Sequence, residues 1–137
     1  KYRSLRTNEP YPESKQRCDI AFGAGEEWLV EVKMARFSGD NGKPDDTSVK
    51  DILSPFENDR SAISDCIKLS KCKFEGRKAI LIYGFNDKRR PLERIIGAFE
   101  TLANSYVRLG VRFETSFGGL VHPVFESGGV FGWEIDP

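Results

Sequence analysis

Two short runs of alternating apolar residues, joined by Gly23-Ala24-Gly25-Glu26, constrain this chain more than any other feature. Side chains along a strand point to opposite faces in turn, so alternation assigns each residue a face. From Cys18 to Met34 the even positions are Cys18, Ile20, Phe22, Trp28, Val30, Val32 and Met34, nearly all apolar. The odd positions include Asp19, Glu27, Glu31 and Lys33, with Ala21 and Leu29 between them. The pattern predicts a β-hairpin whose even face is core, Trp28 included. Its odd face meets solvent or does chemistry. Only registers that pair odd with odd bury both halves on one side. A turn centred on Gly25 then sets Asp19 opposite Glu31 and Phe22 opposite Trp28. Opposed Cβ atoms lie about 4.5–5.5 Å apart, and two unpaired carboxylates at that distance repel. A shared cation resolves the conflict.

Paired carboxylates hold hard divalent ions through oxygen ligands. A lysine beside such an ion positions a water or stabilises developing phosphate charge. The triplet Glu31-Val32-Lys33 supplies that lysine. The letters alone carry little weight, because Glu13-Ser14-Lys15 has the same spacing without any apolar alternation around it. The plain alternative is a solvated ion cluster on a hairpin surface.

Charged residues make up 31% of the 137 positions and the formal net charge is zero, so a generally basic nucleic-acid coat is excluded. The charge is nevertheless uneven. Residues 66–94 carry nine basic against three acidic groups, while the segments on either side are acidic. Local potential matters more than the total for binding a phosphate backbone. Lys68, Lys71, Lys88, Arg89 and Arg90 are the candidate contacts, with the run 88–90 foremost; the plain alternative is a solvated helix end and loop. Cys18, Cys66 and Cys72 form neither a disulfide framework nor a zinc motif, and read as reduced thiols of a cytoplasmic protein. No stretch approaches the roughly 20 apolar residues of a spanning helix, so no membrane partner is expected.

The remaining pattern predicts one α/β domain over residues 1–137. Residues 1–16 read as a loop or arm, with a short extended piece near Tyr2–Leu5. Residues 38–51 read as a turn-rich loop. A helix is expected from about Ser54 to Cys72, burying Phe56, Ala62, Ile63, Cys66, Ile67 and Leu69. Ala79–Gly84 reads as a strand buried on both faces. A second helix is expected over about Pro91–Leu109, with a stripe that includes Tyr106. Three short strands follow, at Val111–Phe117, Leu120–Phe125 and Val130–Ile135. Trp133 and Phe131 read as core or interface. His122, the only histidine, reads as structural, and no nucleophile elbow or phosphate-cradling loop is present.

Arg17-Cys18-Asp19-Ile20, then Trp28–Lys33, then a helix and the strand Ala79–Gly84, resemble the PD-(D/E)XK superfamily of restriction-endonuclease-like nucleases. The resemblance spans about residues 17–85, with 86–137 adding a helix and terminal strands. It implies a mixed β-sheet flanked by helices and Mg²⁺- or Mn²⁺-dependent hydrolysis of nucleic-acid phosphodiesters, DNA foremost. By the same resemblance Asp19 and Glu31 are metal ligands, the Val32 carbonyl is a third, and Lys33 is the catalytic lysine. Cutting both strands of a duplex would favour a homodimer. Cys18 stands where a proline is common. Residues 1–16 do not look like the helix that usually opens the family fold, for whose acidic residue Glu9 or Glu13 could substitute. Polar residues of the next helix that could join the site are Asp59, Arg60, Ser61, Ser64, Asp65 and Lys68. The competing expectation is an inactive scaffold of the same fold that binds nucleic acid or a protein partner.

Overall fold

The computed structural model describes residues 4–23 and 27–137. Six strands form one mixed sheet: β1 (Leu5–Pro10), β2 (Arg17–Gly23), β3 (Glu27–Ala35), β4 (Arg77–Asn86), β5 (Phe113–Phe117) and β6 (Ser127–Glu134). Their order is β1-β2-β3-β4-β6-β5, and only β3 and β4 run parallel. Parallel neighbours need a crossover. Here it holds α1 (Asp46–Leu53), a single 3₁₀ turn (Glu57–Asp59) and α2 (Ala62–Lys71). Helix α3 (Glu93–Ala103) follows β4. None of these helices is long and apolar enough to cross a membrane.

The hairpin register is the expected one, with Phe22 opposite Trp28 and Ile20 opposite Val30. The turn itself, at residues 24–26, and Tyr2 and Arg3 lie outside the described residues. The helix-covered face is the odd one, not the even one, although Cys18 and Val30 of the even face are also buried. Ala21 lies opposite Leu29, Glu31 opposite Ile80, Lys33 opposite Ile82, Ile80 opposite Trp133 and Ile82 opposite Phe131, so these residues share one side. The helices pack on that side, where Ile52, Ile63, Leu69, Ile95, Ile96 and Phe99 complete the core. Burying each such side chain contributes roughly 1.5–3 kcal/mol. The opposite side keeps Phe22, Trp28, Val32, Met34 and Leu81 only half-buried and leaves Tyr83 exposed. Trp28 therefore lies outside the helix-covered core, stacked on Phe22 and beneath the Arg77 guanidinium. The strand around Ala79–Gly84 is buried on one face, not two.

Local chemistry sets the helix ends. Asp45 caps α1 by accepting from the Ser48 N–H at 3.0 Å, and Ser61 caps α2 by accepting from the Ser64 N–H at 3.1 Å. The helix expected from Ser54 thus begins only at Ala62, after a break that holds the 3₁₀ turn, and part of the expected loop 38–51 is α1. Phe56, expected in the core, is 71% exposed in the break. α3 ends earlier than its apolar stripe suggests, leaving Tyr106 exposed while Phe99 packs on Trp133 at 5.0 Å. Residues 120–125 form no strand, and β1 occupies the sheet edge where a loop was expected. Gly84 lets α3 approach the sheet: an added Cβ would run into the Ala35 carbonyl and meet Leu92 Cδ1 at 2.9 Å.

Candidate active site

The β2–β3 ladder stops at Ile20 and Val30, and a side chain makes the next link. The Val32 N–H donates to Asp19 Oδ2 at 2.8 Å. Asp19 thereby stays exposed at the sheet end while its carboxyl is tied to β3. Glu31, one residue along, is only 3% exposed. Its Oε1 accepts from the Tyr11 hydroxyl and faces Lys68 Nζ at 2.7 Å. Burial lifts Glu31 to about 7, against the pull of Lys68 and Tyr11; nearby Asp65 and Asp19 raise it further.

α2 supplies the other half. Spacing of three puts Asp65 and Lys68 on one helix face, with Lys68 Nζ 3.1 Å from Asp65 Oδ1. Asp65, 5% exposed, faces Lys33 Nζ at 3.1 Å through Oδ2, an oxygen that no hydrogen bond reaches among the described residues. Lys33 Nζ also donates to the Arg60 carbonyl at 2.7 Å. Desolvation pulls the Lys68 ammonium down, but Glu31 and Asp65 outweigh it and raise the pKa above the ordinary lysine value. Four charged groups from β3 and α2 therefore form one continuous chain: Glu31, Lys68, Asp65, Lys33.

This chain floors a cleft of about 980 Å³. One wall is the turn between β1 and β2, closed by the Tyr11 N–H donating to the Gln16 carbonyl at 3.0 Å. The other is α2 with the break before it. Lys15 and Arg17 stand on the first wall, and Arg60, Lys71 and Lys73 on the second. An exposed ion pair, Lys73 to Glu13 at 2.8 Å, joins the two walls; such a pair contributes little energy.

Asp19, Glu31, Lys33, Lys68 and Lys71 all line this cleft, as do Arg60, Ser64 and Asp65. Lys88, Arg89 and Arg90 do not. They follow β4 in a turn made by Asp87 Oδ1 accepting from the Arg89 and Arg90 N–H groups at 2.9 and 2.6 Å, with Arg90 over the Phe37 ring and Lys88 3.4 Å from Glu126. Glu13 sits on the rim, whereas Glu9 lies on β1 3.7 Å from Arg6. Asp59 and Ser61 hold the break, through Ser54. His122 stacks on Phe125, its Nδ1 accepting from the Val124 and Phe125 N–H groups. Tyr11 was not foreseen; its contact depends on the β1–β2 turn, for which Pro10-Tyr11-Pro12 is the sole sequence hint.

No group of three or more His, Cys, Asp and Glu side chains is arranged to hold a metal ion among the described residues. Comparison with protein-family models, with curated proteins and with solved structures gives no match.

Proposed function

We propose that this domain is a divalent-metal-dependent nuclease of restriction-endonuclease-like type that hydrolyses nucleic-acid phosphodiester bonds, DNA foremost. One observation carries the reading: Asp19, Glu31 and Lys33 open into a single cleft whose floor alternates carboxylates with lysines and whose walls carry Lys15, Arg17, Arg60, Lys71 and Lys73. The parallel β3–β4 pair and its helical crossover agree with the resemblance drawn from the sequence.

The donor set fits a hard ion. Mg²⁺ takes oxygen ligands, keeps several waters and is commonly bound through one or two carboxylates, which suits two carboxyls better than a closed cage. Asp19 and Glu31 would hold Mg²⁺ or Mn²⁺, with the Val32 carbonyl as a further donor. When bound, the ion supplies Lewis acidity toward water and phosphate. The protein does the remainder. Tyr11 and Lys68 hold one oxygen of Glu31, which orients the carboxyl. Lys33, held by Asp65 and the Arg60 carbonyl, presents a fixed positive charge where phosphate charge develops. Lys15, Arg17, Arg60 and Lys71 draw the backbone into the cleft.

A second reading, an inactive scaffold, draws on a specific feature: Glu31 and Lys33 already find opposite charges in Lys68 and Asp65. Incubating supercoiled plasmid, single-stranded DNA and RNA with Mg²⁺ or Mn²⁺ separates the two. Metal-dependent cutting by wild type and none by Glu31→Gln or Lys33→Ala supports the nuclease. A folded wild type that binds these substrates and cuts none leaves the scaffold.

A further inference from the structure

Arg60 holds a left-handed backbone conformation, φ 50° and ψ 38°, at the end of the 3₁₀ turn. Among the described residues four others than glycine have positive φ in total: Asn8, Glu13, Arg60 and Asp136. Asn and Asp tolerate this region because their short side chains bond locally. Arg and Glu lack that excuse, and both strained examples line the same cleft, on opposite walls.

The strain at Arg60 is enforced from every side. Asp59, before it, accepts from Ser54 Oγ at 2.5 Å and faces Lys50 Nζ at 3.0 Å. Ser61, after it, donates to the Ser54 carbonyl and caps α2. The Arg60 carbonyl accepts from Lys33 Nζ. Strained residues persist where the surroundings over-determine them. Here they fix the backbone of a residue whose exposed guanidinium has no hydrogen-bond or ion-pair partner among the described residues. Arg60 and Lys33 also line a second, smaller hollow of about 520 Å³, so they stand at the junction of two depressions.

We propose that Arg60 is the phosphate-binding residue of the cleft. Its backbone is held in an unfavourable conformation so that a free guanidinium meets a nucleic-acid phosphate beside Lys33. A guanidinium gives a phosphate two parallel hydrogen bonds, which a lysine cannot. The assignment rests on the nuclease reading and adds the residue that seats the substrate.

The test compares wild type with Arg60→Gly, Arg60→Asn and Arg60→Lys. Thermal melting is measured beside fluorescence anisotropy of a labelled DNA strand and its duplex, with Ca²⁺ replacing Mg²⁺. Glycine and asparagine fit the left-handed backbone, so both variants should melt at or above the wild-type temperature. Both should bind DNA about tenfold more weakly, and the slope of log affinity against log salt should fall by about 0.7 for the strand or 0.9 for the duplex, as for one lost phosphate contact. Arg60→Lys should keep the salt slope and lose part of the affinity. Arg60→Gly or Arg60→Asn binding as tightly as wild type with the same salt slope overturns the assignment, while cutting by wild type in the same preparation leaves the nuclease reading intact. A lower melting temperature in both overturns the strain argument. A wild type that neither binds nor cuts nucleic acid overturns both proposals together.

Discussion

The Tyr11 hydroxyl donates to Glu31 Oε1, joining the turn after β1 to the middle of β3 across twenty residues of sequence. The bond favours the charged form of Glu31 and works against its burial. Tyr11→Phe should therefore raise the Glu31 pKa above its value of about 7 and move the acid limb of any cleavage profile to higher pH. The lost bond to a charged group should cost about 1.5–3 kcal/mol in denaturant unfolding. A profile that stays in place, with stability alone reduced, assigns Tyr11 to packing.

Glu31 also sets how stability depends on pH without metal. Its value rises from 4.5 to about 7 on folding, chiefly through burial. Between those values the folded chain binds the extra proton, so stability falls as pH rises through that window, by about 3 kcal/mol. Melting curves from pH 4 to 8 should show the fall in wild type and lose most of it in Glu31→Gln. Mn²⁺ bound to the ionised carboxyl should reverse the slope by mass action. A slope indifferent to Mn²⁺ argues against an ion at Glu31.

Lys68 lies between two buried carboxyls, Glu31 and Asp65, the second of which Lys33 also faces. Removing one partner of a buried pair costs about 3–5 kcal/mol. Lys68→Met should lose that much, and adding Glu31→Gln and Asp65→Asn should recover most of it. If Lys68→Met costs under about 1 kcal/mol, the pair behaves as an exposed one.

The register of the hairpin was legible because Ile20, Phe22, Trp28 and Val30 fall on one parity and Asp19, Glu27 and Glu31 on the other, and a one-residue slip would move every one of them. The face was not. Alternation says which residues lie together but not which side the helices cover, and Ala21, Leu29 and Ala35 suffice for a core once α2 packs on them. β1 was illegible because Leu5–Pro10 is a sheet edge with most side chains in water. α1 offers only Val49, Ile52 and Leu53, too few for a periodic signal. Asp19, Glu31 and Lys33 could be gathered from strand spacing, and Arg60 was among the polar candidates of the segment that follows; Tyr11 could not, since the geometry of the β1–β2 turn alone brings it in.

Lys33 carries two duties, and an alanine scan would confuse them. Its ammonium offsets buried Asp65, whose Oδ2 has no hydrogen bond among the described residues, so Lys33→Ala loses stability as well as a charge facing the cleft. Lys68 still faces Asp65, which should limit the cost to about 2 kcal/mol. In Lys33→Met/Asp65→Asn the unmatched charge is gone, and the melting temperature should return to within a few degrees of wild type. Cleavage should stay absent in the double variant, because neutralising Asp65 restores no positive charge to the cleft. Cleavage that returns with stability would make Lys33 a structural residue and remove it from the proposed chemistry.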